Sequence, residues 1–254
     1  MDIFLATVWG LIIGSFLNVV IHRLPKAVMK DPDASLDCLL WPSSTAPCCQ
    51  AKLTWKENIP IISWLFLRGK CAHCGHAISV RYIIVEALTG AAFAWSAWQF
   101  ELTLVGLFYA LFLAIAICLF FIDLETFLLP DRLTFSMLWL GLLGSALGYL
   151  PVMPQDAIFG ACLGYGLPWT VNKLYYLVRK HDGFGGGDFK LLAALGAWTG
   201  WLHIVPILCG ASIIGLLVIG TAAALKRDRL SLGQAFPFGP FLLVSGLGFV
   251  VSRL

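Results

Sequence analysis

Apolar stretches close to the length of a membrane-crossing helix recur from one end of the chain to the other, and this recurrence decides what the chain can fold into. A helix that crosses the hydrocarbon core needs about 20 mostly apolar residues. Segments of this kind cover 3–21, 83–98, 102–122, 133–150, 157–177, 189–201, 202–225 and 236–252. With 59% of the 254 residues hydrophobic and 12% charged, there is too little polar surface to enclose a water-soluble core. The expected fold is an all-α polytopic membrane protein of about eight transmembrane helices. The stretch 189–201 is short and no clear turn separates it from the next, which leaves seven as the other count.

Only Asp2 precedes the first stretch, and it is followed by His22, Arg23 and Lys26 rather than by a small-residue cleavage site. It therefore reads as a membrane helix, 1–21, and not as a secretory signal. Basic residues mark the cytoplasmic side of a membrane protein. Threading eight spans with the N-terminus outside gathers Arg23, Lys26, Lys30, Lys52, Lys56, Arg68, Lys70 and Arg81 into the first cytoplasmic loop. Arg132, then Arg179, Lys180 and Lys190, then Lys226, Arg227 and Arg229 follow on the same side, with Arg253 alone opposite. The net charge of +3 is thus an orientation signal and implies no nucleic-acid partner. Residues 22–82 form one hydrophilic loop domain, and 83–254 a transmembrane bundle.

Two segments carry carboxylates that a lipid-embedded chain does not place idly. In the first, Asp123, Glu125 and Asp131 lie within FIDLETFLLPDRLT. Asp131, after Pro130, suits the start of a helix as its N-cap. Asp123 ends a long uncharged run, where the negative end of a helix dipole opposes it; the simpler account is a solvated interfacial charge. In the second, Gly183, Gly185, Gly186 and Gly187 precede Asp188 at the start of the next apolar stretch. No Lys-Ser/Thr of a phosphate loop follows, so these glycines suit close approach by an extended peptide, or simply a loop with Asp188 as N-cap.

The threaded topology puts Asp123 and Asp188 at the same face. Two neighbouring carboxyl groups share a proton, so one can draw a proton from water while the other polarises a peptide carbonyl. No serine with a partnered histidine lies at matching depth, since His203 falls near the opposite face.

The hydrophilic loop holds Cys38, Cys48, Cys49, Cys71 and Cys74. Cys71-Ala-His-Cys74 followed by Gly75 has the spacing of a zinc knuckle, and cytoplasmic thiols do not form stable disulfides. Structural zinc is expected, with Cys49, Cys71 and Cys74 as the better ligands, Cys48 as the irregular fourth, and Cys38, His73 and His76 as alternatives. Cys118, Cys162 and Cys209 lie in apolar stretches as small packers. Glu86 lies in the second stretch and should face the bundle interior or the interface, its role open. Asn18 reads as a packing residue between helices.

Taken in order, GSFLNVVIHRLP at 14–25, ENIPIISWLFLRGKCAHCGHAISVRY at 57–82, VEALTG at 85–90, the D-x6-PD pattern from Asp123 to Asp131, GGGDFKLLAALGAW at 185–198 and FPFGPFL at 236–242 resemble the bifunctional prepilin peptidases over nearly the whole chain. The resemblance implies an aspartic endopeptidase of the bacterial inner membrane, with Asp123 and Asp188 as its catalytic pair. Its substrates would be prepilins and pseudopilins of type IV pili and type II secretion, cut on the cytoplasmic side between Gly and an apolar helix. It also implies N-methylation of the new N-terminus with S-adenosylmethionine, a step associated with the cysteine loop. The chain departs from the family's C-P-x-C pair: Ala46 stands where the first cysteine belongs, Cys49 matches the second and Cys48 is extra. The alternatives from other classes are a transporter, which predicts midplane carboxylates and a repeated half-pattern, and a non-catalytic subunit of a secretion machine.

Overall fold

The computed structural model describes residues 1–31, 39, 45–46, 48–181, 183, 185–226 and 236–252. Cys38, Arg227, Arg229 and Arg253 lie outside the described residues. The helices are α1 (Asp2–Lys30), the short α2 (Ile62–Phe66), α3 (Arg81–Phe100), α4 (Leu104–Thr126), α5 (Asp131–Ala146), α6 (Pro154–Arg179), α7 (Gly186–Thr199), α8 (Ile204–Lys226) and α9 (Gly239–Val251). Every apolar stretch marked in the sequence contains a helix, though 102–103, 147–150 and 236–238 lie outside theirs. By length and composition, Asp2–Lys30, Leu104–Thr126 and Trp201–Leu225 are long and apolar enough to cross a membrane. Phe4, Trp9, Phe159 and Leu216 each leave more than half their surface exposed, the outward apolar face of a protein whose solvent is lipid. The chain packs as two compact units, Met1–Cys118 and Leu119–Leu254.

In the first unit α1 lies against α3, and glycine makes the contact close. A Cβ on Gly10 would fall 2.7 Å from the Thr89 carbonyl oxygen, and one on Gly14 would fall 2.8 Å from the Glu86 Cα. With no hydrophobic drive between helices in lipid, such backbone contact supplies the dispersion that holds them. One turn further on, Asn18 of α1 donates through Nδ2 to the Tyr82 carbonyl at 3.0 Å. Helix α1 continues through buried Pro25 to Lys30, well past the end at 21 that apolarity marks. His22, Arg23, Lys26 and Lys30 form helix as readily as apolar residues do, and Lys30 meets the negative end of the helix dipole.

The loop after α1 is tied back to this pair. Ile61 holds φ +60 and ψ −50, a costly conformation for a β-branched residue. Its N–H donates to the Glu86 carboxylate at 2.7 Å, and the Ser15 hydroxyl bonds the same carboxylate. Glu86, buried on α3, thus fixes the turn that leads into α2.

In the second unit α7 is the central helix. Leu191 through Thr199 are all buried, which is why this stretch is apolar on every side. Gly160 of α6 and Gly196 of α7 face each other with no room for a Cβ on either, and a Cβ on Gly164 would meet the Leu192 carbonyl oxygen at 2.6 Å. On another side, Gly141 of α5 leaves room for Trp198, whose Nε1–H donates to the Met137 carbonyl at 2.9 Å. Gly246 of α9 packs on Leu195. Helix α7 stops because Gly200 adopts φ +80, and a 3-10 turn, Trp201–His203, leads into α8. That glycine is the break between two stretches that hydropathy alone runs together.

Gly160→Ala should destabilise the second unit by about 1–3 kcal/mol through overpacking. Gly166→Ala, on the same helix with nothing within 4 Å of its Cβ position, should be neutral or slightly stabilising. Thermal unfolding of the two variants in detergent checks the contrast.

Candidate active site and thiol cluster

Helix α4 runs one turn beyond the end expected at 122 and stops at Thr126 because Phe127 takes φ +56. Asp123 therefore lies inside the last turn, only 4% exposed, and is not a solvated interfacial charge. The first residue of α9 answers it: the Gly239 N–H donates to Asp123 Oδ2 at 3.0 Å. This amide is one of the free N–H groups at a helix start, so the positive end of the α9 dipole offsets the negative end of α4. A Cβ on Gly239 would lie 2.7 Å from the same oxygen, and Pro240 behind it has no N–H to offer. Only glycine lets this backbone close on the carboxylate.

Asp188 is the third residue of α7, whose N-cap is Gly185, so the capping role expected for the aspartate belongs to the glycine. The Gly185 N–H in turn bonds the Asp188 carboxylate. Leu129 joins the two helix starts, lying against the Cβ positions of both Gly187 and Gly239. Through Leu129 and the Gly239 amide, the end of α4 that carries Asp123 and the start of α7 that carries Asp188 are neighbours, near enough for the two charges to influence each other.

The other carboxylates of the first motif stand apart from it. Asp131 is the first residue of α5 after the N-cap Pro130, not the N-cap itself. Both its oxygens bond the Lys190 ammonium, at 2.6 and 2.7 Å. Glu125 is exposed. His203 bonds the Thr199 carbonyl at the far end of α7 from Asp188. Gly183, earlier in the glycine loop, donates its N–H to Asn172 Oδ1 at 2.8 Å.

In the first unit two small hairpins bring four thiols together. One is closed by the Thr45–Lys52 bridge, with Gln50 at φ +58; the other by the Lys70–Ala77 bridge, with Gly75 at φ +70. Sγ of Cys48 and Cys74 lie 3.2 Å apart and those of Cys49 and Cys71 3.9 Å apart. All four sulfur atoms fall within 4.8 Å of one another. A tetrahedral site with Zn–S bonds of about 2.3 Å sets its sulfurs about 3.8 Å apart, so the donor set fits such a metal. Cys48 joins the group and Ala46 is buried beside it, while His73 turns to Glu57 at 3.2 Å and His76 is exposed. The backbone N–H groups of His73 and Cys74 lower the Cys71 thiol to about 6, which favours its thiolate form. The hydrogen bond to Cys74 raises the Cys48 thiol to about 12.

Fold and sites together define a helical membrane protein with one buried and one half-buried aspartate at its helix ends and a separate four-thiol cluster. Residues 8–100 match the bacterial peptidase A24 N-terminal domain, and residues 110–220 match the type IV leader peptidase family. The chain is 41% identical to a prepilin leader peptidase/N-methyltransferase of Neisseria gonorrhoeae, over 95% of this chain and 87% of the relative. It is 41% identical to one of Dickeya chrysanthemi, over 96% and 91%, and 39% identical to one of Stutzerimonas stutzeri, over 95% and 87%. No solved structure matches. The chain belongs to the prepilin leader peptidase/N-methyltransferase family.

The FPFGPFL block stands out in the sequence, but nothing in it reveals that its glycine amide holds Asp123. The available signal was a Gly-Pro pair opening an apolar helix. Gly239→Ala should lower kcat/KM for leader cleavage by about 10²-fold, the cost of moving the carboxylate it holds by roughly 1 Å. Cleavage of a prepilin by the purified variant, normalised to the amount of folded protein, measures it.

Proposed function

We propose that Asp123 and Asp188 are the catalytic pair with which this prepilin leader peptidase/N-methyltransferase cuts its substrate. What supports the assignment is that the two helix ends carrying these carboxyl groups are neighbours through Leu129, one carboxyl group held by the Gly239 amide and the other by that of Gly185. Two carboxyl groups at such a site share a proton. The ionised member takes a proton from water as the water oxygen attacks the scissile carbonyl carbon, and the protonated member donates to the carbonyl oxygen. When the C–N bond breaks, the proton gained from water passes to the leaving amine.

The active site lies at the cytoplasmic face of the inner membrane, in a bundle of eight spans whose N-terminus is outside. Two arrangements support this. The basic residues gather on one side under that threading. The C-terminal end of α4 and the N-terminal ends of α7 and α9 also meet around Asp123, Gly187 and Gly239, as the threading requires. The substrates are prepilins and pseudopilins, which enter from this side. The exposed apolar faces of the helices contact membrane lipid.

Zinc held by Cys48, Cys49, Cys71 and Cys74 fastens the two hairpins together and has no part in cleavage. The His73–Glu57 pair connects this cluster to the 3-10 turn Trp55–Asn58. S-adenosylmethionine is the methyl donor for the second activity.

Asp123→Asn and Asp188→Asn should each lower leader cleavage by at least about 10²–10⁴-fold, the usual contribution of a positioned acid or base, with membrane insertion intact. Normal processing by either variant would sink the assignment. Cys71→Ser and Cys74→Ser should lose zinc and methylation while cleavage continues. Metal analysis of the purified chain and the mass of a co-expressed pilin N-terminus, which reports cleavage and methylation together, decide this.

A further inference from the structure

Helix α2 belongs to the hydrophilic loop, yet one of its faces is apolar and bare. Ile62, Leu65 and Phe66 stand at the i, i+3, i+4 spacing that shares a helix face, and they are 51%, 60% and 85% exposed. The opposite face is spent on the loop itself. The Trp64 Nε1–H donates to the Ile78 carbonyl at 3.3 Å, and the Trp64 ring lies against Gly69, where a Cβ would fall 2.7 Å from it. The helix is therefore held in one orientation, with its apolar face turned away from the loop. Three large apolar side chains side by side on a polar loop mark a surface that meets something other than water.

The level at which α2 is fastened identifies what it meets. Ile61, the residue before the helix, donates to the Glu86 carboxylate, which also bonds the Ser15 hydroxyl. Ser15 precedes His22, the first basic side chain of α1, by seven residues. At a rise of about 1.5 Å per residue this places the fastening about 10 Å inside the apolar stretch of α1. At the same level α3 turns Ile84 and Leu88 outward, both exposed, as the lipid-facing positions of a spanning helix are. Beyond α2 the chain turns back at Arg68, φ +50, and Gly69, φ +70, and Arg68 and Lys70 are exposed there. Basic side chains next to an apolar face match the phosphates of anionic lipid.

From this arrangement we infer that α2 is an interfacial membrane anchor: Ile62, Leu65 and Phe66 enter the bilayer beside α1 and α3, and Arg68 and Lys70 meet the headgroups of anionic phospholipid at its surface. The inference rests on the membrane reading of α1 and α3 given above and goes beyond it for the loop between them. The hairpin that carries Cys71 and Cys74 follows α2 directly. The thiol cluster is thus seated on the membrane surface rather than suspended in water from two helix ends.

The test uses the full-length, zinc-replete protein, one copy per nanodisc of phosphatidylethanolamine and phosphatidylglycerol. The discs contain a trace of phosphatidylglycerol bearing a diazirine on its acyl chain near the glycerol. After photolysis, mass spectrometry of the peptides should find lipid on Ile62, Leu65 or Phe66 as well as within 3–21. Phe66→Asp should reduce the label on 62–66 at least about tenfold while that on 3–21 stays the same. Arg68→Glu should reduce it in these discs and leave it unchanged in discs of phosphatidylcholine. Wild-type label on 3–21 with none on 62–66 overturns the anchor and leaves the spans intact; absence of label from both overturns the membrane reading as well. Loss of the 62–66 label on adding an equimolar prepilin also overturns the anchor, because the face would then belong to the substrate.

Discussion

Direct contact between helix backbones, made possible by glycine, is the constraint from which the rest of this structure follows. In lipid every N–H and C=O must be paired within the protein, and apolar side chains gain little by meeting one another. Helices then hold together where their backbones can approach closely. Gly10 and Gly14 allow it between α1 and α3, and Gly160, Gly164 and Gly196 between α6 and α7. Neither contact involves a functional group, yet each sets the register of one. The α1–α3 contact lines up Ser15 and Asn18 with Glu86 and Tyr82. The α6–α7 contact holds the helix whose first turn carries Asp188.

The same scarcity of water governs how the carboxylates are held. Asp123 is buried in the last turn of a helix, the end whose dipole opposes a negative charge. The Gly239 amide meets it there from the start of another helix, at a position where any side chain would collide. The Gly185 amide does the same for Asp188 within its own helix. Backbone amides suit this task because they cannot be withdrawn by a rotamer change and carry no net charge into the membrane. A lysine partner would neutralise the carboxylate for good, and Lys190 does this for Asp131 instead. The arrangement thus separates a carboxylate paired with a cation from two held by uncharged backbone amides.

How much of this was legible in the sequence follows from the range of each interaction. Helices in lipid are a composition effect, so every apolar stretch proved to contain a helix; the ends were less secure. Apolarity marks where the membrane ends, but a helix ends where its backbone turns. Hence α1 continues through basic residues to Lys30, α4 runs to the positive φ at Phe127, and α7 halts at Gly200. Asp123 and Asp188 stood out because charge is rare in such a chain. Gly239 and Ile61 did not, because a backbone amide leaves no mark on residue identity. Glu86 was visible as an anomaly, but its partner, the amide of a strained isoleucine some twenty-five positions earlier, was not.

The cysteine cluster illustrates how geometry can accommodate a change of spacing. By motif, Ala46 occupies a ligand's place and two adjacent cysteines follow it. Adjacent side chains on an extended strand point to opposite faces, which would exclude Cys48 and Cys49 from one metal. Here they lie in a tight turn that ends at Gln50 with φ +58, where successive side chains need not oppose each other. Both sulfurs reach the same cluster, and the small Ala46 side chain is buried beside the hairpin. A four-thiol set is therefore retained although the first pair no longer has the two-residue gap. The position of the sulfurs in space decides whether such a site exists, and the turn that presents them can shift a ligand by two residues without moving the site.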